Sequence, residues 1–271
     1  MNKLALKISA LLFSGILLFS CGGASLGDNV KSGIEMDFGV NAFSKGNYKE
    51  AMVHFLNAKK DNPGYDSIAS MWVHGCELGK QMDSVLKISD TMMVALAAYE
   101  KDWNKVNDDP DQDWGCFLGD CNKGGIYFSS KAIYRGNRAN DMKNGYGEVL
   151  YVKGTRCVAW GNWVDGKMEG PGAVFFDGED KGQGYYGNWV NDREEGKGII
   201  VYPSHSIREA SYVNDSCEGS GTRYIADGTI MKGTWKHDHM EGQFKVYDRN
   251  GNSWHEVWSE GKFVSSDKKQ D

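Results

Sequence analysis

Proline is nearly absent, with four in 271 residues. A disordered Pro/Gly-rich chain is therefore excluded, although glycine itself is abundant at 35 residues. Positive charge is in deficit, with 31 Lys+Arg against 37 Asp+Glu. Nucleic acid and anionic lipid both select basic patches, so neither suits this chain. The six cysteines include no Cys-x-x-Cys pair, which removes the commonest zinc frameworks. There is no phosphate-cradling Gly-x-x-x-x-Gly-Lys-Ser/Thr loop. The long apolar run from Ile8 to Phe19 falls short of the about 20 residues that a transmembrane helix needs.

That run is flanked by Lys3 and Lys7, the pattern of an export signal. It closes on Leu18-Phe19-Ser20-Cys21-Gly22, which resembles the lipobox of bacterial lipoproteins. The resemblance implies cleavage before Cys21, diacylglycerol on its sulfur and N-acylation, palmitate being an expected acyl chain. One chain anchors weakly and several anchor stably. Gly22 lacks the Asp that the family uses for inner-membrane retention, so the resemblance favours a cell-envelope, outer-membrane destination on either side of that membrane. Removing residues 1–20 takes away Lys3 and Lys7 and no acid, so the formal net charge moves from −6 to −8.

Beyond Cys21 stand Cys76, Cys116, Cys121, Cys157 and Cys217, an odd number that leaves at least one thiol free or paired between chains. Export permits disulfides. Cys116 and Cys121, close together and flanked by Gly115 and Gly119, are a candidate bridge.

The mature chain divides in two. Residues 28–106 are sparse in glycine and have no period-2 alternation, which predicts helices. Gly46 is placed to end one helix and Asn47 to turn or cap into the next. Ala51, Phe55 and Ala58 then share a face, and Asn62-Pro63-Gly64 stops the run. Gly46, Tyr48, Ala51, Phe55, Ala58 and Pro63 together resemble one tetratricopeptide repeat, over residues 35–63. Ile68 to Leu78 and Met82 to Trp103 are expected as a degenerate second pair. A plain small helical bundle is the other reading, because a lone repeat cannot bury its face.

Residues 107–133 are expected to be an acidic, Cys-containing connector after a lipidated tether at 21–27. Asp109, Asp111 and Asp113 alternate there, but Trp114 stands where a calcium loop needs glycine. A solvated linker fits better.

Residues 134–263 repeat. An aromatic is followed seven residues later by glycine: Trp163 to Gly170, Trp189 to Gly196, Tyr212 to Gly219, Trp235 to Gly242. Arg138 to Gly145 extends the series upstream, and Trp258 opens a truncated unit. The anchors fall 25, 26, 23, 23 and 23 residues apart, a period that signals stacked units. In Tyr185-x-Gly187-x-Trp189 all three residues point to one face of a strand. Asp165-Gly166 marks a hairpin turn. Rings lying on glycine of neighbouring strands would offset the poor strand propensity of glycine. This pattern closely resembles the MORN repeat, Y-x-G-x-W-x-x-G-x-x-x-G-x-G. The resemblance implies an elongated single-layer antiparallel sheet of hairpins, which together with the helical N-terminal region makes an α+β chain. Ala210 and Glu256 depart from the motif at glycine positions, which marks the later units as capping candidates. Residues 264–271 are a polar tail.

The six histidines are His54, His74, His205, His237, His239 and His255. His237 and His239 with Glu241 are the densest metal-type group, but they fall where the repeat has its turn. We expect no cofactor, no metal and no enzymatic activity. The expected role is a membrane-anchored scaffold for unidentified envelope proteins, with self-association left open. The candidate binding surface is Tyr185, Trp189, Tyr212 and Trp235, for which core packing is the competing explanation. Capture of a glycan or lipid by the aromatic row is the alternative role, and an enzyme of unrecognised type the lesser one.

Overall fold

The computed structural model describes residues 26–101, 115–118, 124–129, 131–177 and 182–269. The export signal, Cys21 and Cys121 lie outside the described residues. So does the side chain of Cys116, and with it the candidate disulfide.

The N-terminal region is three helices. Helix α1 (Leu26–Phe43) buries Met36, Val40 and Phe43 at four- and three-residue steps. It ends at Gly46, whose φ of 75° is disfavoured for a residue with a Cβ, and the Asn47 N–H closes the end on Ala42 O at 2.9 Å. Helix α2 (Tyr48–Asp61) buries Tyr48, Ala51, Phe55 and Ala58. The Asn62 side chain then accepts from Gly64 N–H at 2.8 Å and turns the chain through Pro63–Tyr65. Helix α3 runs unbroken from Asp66 to Ala97, 32 residues. The expected pair, Ile68 to Leu78 and Met82 to Trp103, is therefore a single helix as far as Ala97. Gly79 sits where the break was expected and serves as a contact. A Cβ there would lie 2.5 Å from the Tyr48 ring, so glycine is what lets α2 approach.

The strands are β1 (Gly115–Leu118), β2 (Gly125–Phe128), β3 (Ala132–Ala139), β4 (Met142–Tyr151), β5 (Cys157–Val164), β6 (Lys167–Phe176) and β7 (Gly184–Val190). They continue as β8 (Arg193–Val201), β9 (Ile207–Val213), β10 (Ser216–Tyr224), β11 (Ile230–Lys236), β12 (His239–Tyr247), β13 (Ser253–Ser259) and β14 (Lys262–Ser266). All belong to one antiparallel sheet in chain order, each paired with its sequence neighbours. Strand spacing makes such an array about 60 Å wide. The sheet is longer than the repeats predicted: β1 and β2 lie upstream of 134 in the expected connector, and β14 runs past 263.

One face carries the helices. Val158, Phe175, Val201, Ile207, Tyr224 and Ile230 join the helical core around Trp72 and Phe43. Trp160 Nε1 donates to Ser89 Oγ at 3.0 Å, and His74 meets Glu209 at 3.0 Å. Arg156 reaches Glu100 past the end of α3 and Asp177 on the sheet. The opposite face has its own cluster, from Tyr127 to Val246, drawn entirely from the sheet.

The candidate interaction surface

The repeat explains itself at Tyr185. Its ring lies over Gly187 on its own strand and Gly198 on the next. A Cβ at these glycines would stand 2.2 Å from Tyr185 Oη and 2.4 Å from its ring. Tyr134 covers Gly136 and Gly147 in the same way, and Trp235 covers Gly221. Burying each ring contributes roughly 2 kcal/mol or more, and edge-to-face contacts add about 0.5–1.5 kcal/mol. Tyr185 makes two such contacts, with Trp189 at 5.3 Å and Tyr212 at 5.1 Å. Where the second glycine is replaced by Phe244, the pattern inverts, and the Phe244 ring occupies the space above Gly233.

Tyr185, Trp189, Tyr212 and Trp235 are 3, 7, 1 and 3% exposed. They are core, so the candidate surface cannot be made of these four side chains. Their polar tips turn inward too. Tyr185 Oη donates to Asn188 O at 3.4 Å, as Tyr134 Oη does to Asn137 O at 2.7 Å. Burial pushes the Tyr185 and Tyr212 phenols well above their ordinary range.

The turns show a second regularity. Asn191 and Asp192 have φ of 53° and 69°, the double positive values of a type I′ turn. Asn214-Asp215 and His237-Asp238 repeat it. Each turn is clamped to the preceding hairpin by two carboxylates. Glu169 accepts from Asn191 N–H at 3.1 Å, Glu195 from Asn214 N–H at 3.2 Å, and Glu218 from His237 N–H at 2.9 Å. In return Asp192 accepts from Met168 N–H at 2.7 Å, Asp215 from Glu194 N–H at 2.8 Å, and Asp238 from Cys217 N–H at 3.0 Å. Sequence reasoning missed this clamp. Its signal was present, since Glu169, Glu195, Glu218 and Glu241 each immediately precede an anchor glycine.

The metal-type group dissolves into this clamp. His237 Nδ1 lies 2.8 Å from Glu218, and Glu241 accepts from Glu260 N–H at 2.8 Å. Among the described residues no three His, Cys, Asp or Glu side chains are grouped to hold a metal ion. Cys76, Cys157 and Cys217 are free thiols, and burial raises the pKa of Cys157 and Cys217 to about 11.

Two departures from the motif have structural answers. Glu256, at a glycine position, accepts from both neighbouring indoles, Trp254 Nε1 at 2.8 Å and Trp258 Nε1 at 3.1 Å. Arg208 stands where Tyr185 stands one unit earlier, is 9% exposed, and lies 3.7 Å from Asp238.

Part of the exposed apolar surface lies on the sheet's other face, beside the helices. Val164, Val190 and Val213, each following a core aromatic, are 44, 41 and 46% exposed. They recur every second strand, so neighbours are about 10 Å apart.

Four segments of the chain, 134–156, 161–173, 185–207 and 209–230, match the family model of the MORN repeat. These four segments are MORN repeats. The matched segments fall between β3 and the start of β11, leaving out residues 157–160, 174–184 and 208, and the third begins at Tyr185 itself. Strands β11 to β14 continue the MORN hairpin geometry beyond the matched segments. No curated protein matches the chain.

Proposed function

We propose that the chain is an exported lipoprotein, held to the outer membrane by lipid on Cys21, that acts as a non-enzymatic scaffold for envelope proteins. The observation that carries this reading is how the MORN array spends its residues. Aromatics and glycines are consumed in stacking, and the turn carboxylates are consumed in clamps. That leaves a broad, regular outer surface rather than an enclosed chemical centre. The helical hairpin, with Gly46, Tyr48, Ala51, Phe55, Ala58 and Pro63 at tetratricopeptide-like positions, supports a second interaction module. The lipobox-like Leu18 to Cys21 supports the anchor. Because the aromatic row is core, the surface we assign to partners is the row Val164, Val190 and Val213.

Two measurements test this. Substituting Cys21→Ser should move the protein out of the membrane fraction and abolish palmitate labelling. In-cell crosslinking of the tagged protein, read by mass spectrometry, should enrich a discrete envelope protein. A Val164→Glu/Val190→Glu variant should lose that protein at unchanged melting temperature. Crosslinks that survive this variant would overturn the assignment of the surface. No protein partner at all would overturn the scaffold.

A further inference from the structure

A cleft lies where the helical region meets the sheet. One part, about 270 Å³, is bordered by Lys45, Leu86, Val201, Pro203 and His205. A second, more open part, about 570 Å³, follows the start of α2. Gly46, Tyr48 and Asp83 line both, so the two are one cleft divided at Tyr48.

Its walls are fixed from both sides. Tyr48 Oη donates to His205 O at 3.4 Å across 157 residues of chain. His205 has a φ of 61° in the loop between β8 and β9, and its ring lies against Gly46. A Cβ on Gly46 would stand 3.0 Å from His205 Nδ1.

Asp83 projects from α3 into this space. Its carboxylate is half-buried and makes no hydrogen bond or ion pair among the described residues. Desolvation raises its pKa, while Lys87 and His205 oppose that rise. Lys45 borders the cleft, but its charge does not bear on Asp83 as theirs do. A half-buried carboxylate with no hydrogen-bonded or ion-paired partner carries an uncompensated desolvation cost, and an arriving cation offsets part of it. Leu86, Val201 and Pro203 supply apolar wall beside it.

We propose that this cleft binds an ammonium or guanidinium group carried on an aliphatic chain, with Asp83 as its counter-ion and the apolar wall covering the chain. A free alkylamine and the lysine or arginine side chain of a protein both carry that chemistry. The site is independent of the scaffold reading and of the lipid anchor.

The test is an NMR titration of the full chain in detergent, following the Gly46 amide and the His205 ring. The probes are agmatine, a capped pentapeptide with a central arginine, and the same peptide with norleucine. Saturable shifts are expected with the cationic probes and none with norleucine. Tighter binding of the arginine peptide than of agmatine identifies a protein source, and the reverse a free amine. Asp83→Asn should weaken binding about tenfold or more, and Asp90→Asn, on the exposed side of α3, should leave it unchanged. Leu86→Trp fills the apolar part without altering charge and should abolish binding, so it decides the matter if Asp83→Asn does not fold. Equal binding of the norleucine peptide, binding indifferent to both cleft variants, or no saturable shift would overturn the proposal.

Discussion

The Lys143 ammonium sits 3.6 Å from the centre of the Trp163 ring. The equivalent position in later units holds Met168, Glu194, Cys217 and Met240, so an apolar residue fits this slot. A cation–π contact contributes about 0.5–2 kcal/mol. Burial works against the charged form, and the Lys143 pKa is lowered to about 8 despite the opposing pull of Asp192. The charged form is therefore a net cost below pH 8, and that cost is relieved as pH rises from 8 towards the ordinary lysine value of 10.5. Lys143→Met should stabilise the chain at pH 7 by on the order of 1 kcal/mol, and by less at pH 10. Thermal melts at the two pH values check this, and a lower melting temperature for the variant at pH 7 would refute it.

Glu194 occupies the same slot two units on, with its pKa raised to about 8 by burial first and by Asp215 second. The native state then holds a proton that the unfolded chain releases near the ordinary value of 4.5, so stability falls as pH rises from 4.5 to 8. Glu194→Gln should flatten that slope and give its largest gain above pH 8. Urea denaturation at pH 5 and pH 8.5 measures it; parallel slopes for the two proteins would count against the assignment.

The clamp predicts a local effect. Glu218→Ala removes the acceptor of His237 N–H and should cost about 1 kcal/mol. Hydrogen exchange at the His237 amide should accelerate in this variant while the Phe244 amide stays protected. Glu218→Gln, which keeps an acceptor oxygen, should restore most of the protection.

The stacking predicts a larger effect at Gly198. A methyl group there meets the Tyr185 ring at 2.4 Å, so Gly198→Ala should destabilise by about 1–3 kcal/mol. Trp189→Ala should cost about 3–5 kcal/mol through the cavity it leaves. Both are read by denaturant melts. A Trp189→Ala protein that melts like the parent would return that residue to the list of binding groups.

Much of this architecture was legible because glycine and aromatic residues recur in fixed register. Tyr185, Gly187 and Trp189 on one strand dictate which face is aromatic, and the structure keeps that register through β12. The same residues did not reveal whether that face is open or closed. Closure depends on rings reaching glycines on the adjacent strand, which the spacing of one strand does not encode. The continuity of α3 was hidden for a related reason: Gly79 reads as a helix stop until Tyr48 is found lying on it. Strands β1 and β2 carry no repeat motif, and only their pairing with β3 reveals them. The Asp83 cleft joins residues 45–48, 83–86 and 201–205, and no motif links those three segments.

The reciprocal carboxylates between successive turns also bear on how such a chain changes length over time. At the three joints from Glu169 to Asp238 each hairpin offers its neighbour one Glu and takes back one Asp, so these joints are interchangeable in kind. Gain or loss of one complete unit of 23 residues among them, as between Tyr212 and Trp235, leaves these joints formed. Insertion of a few residues within a unit would break two joints at once. The array is thus a ruler graduated in whole hairpins, and its length is the property most easily adjusted by duplication.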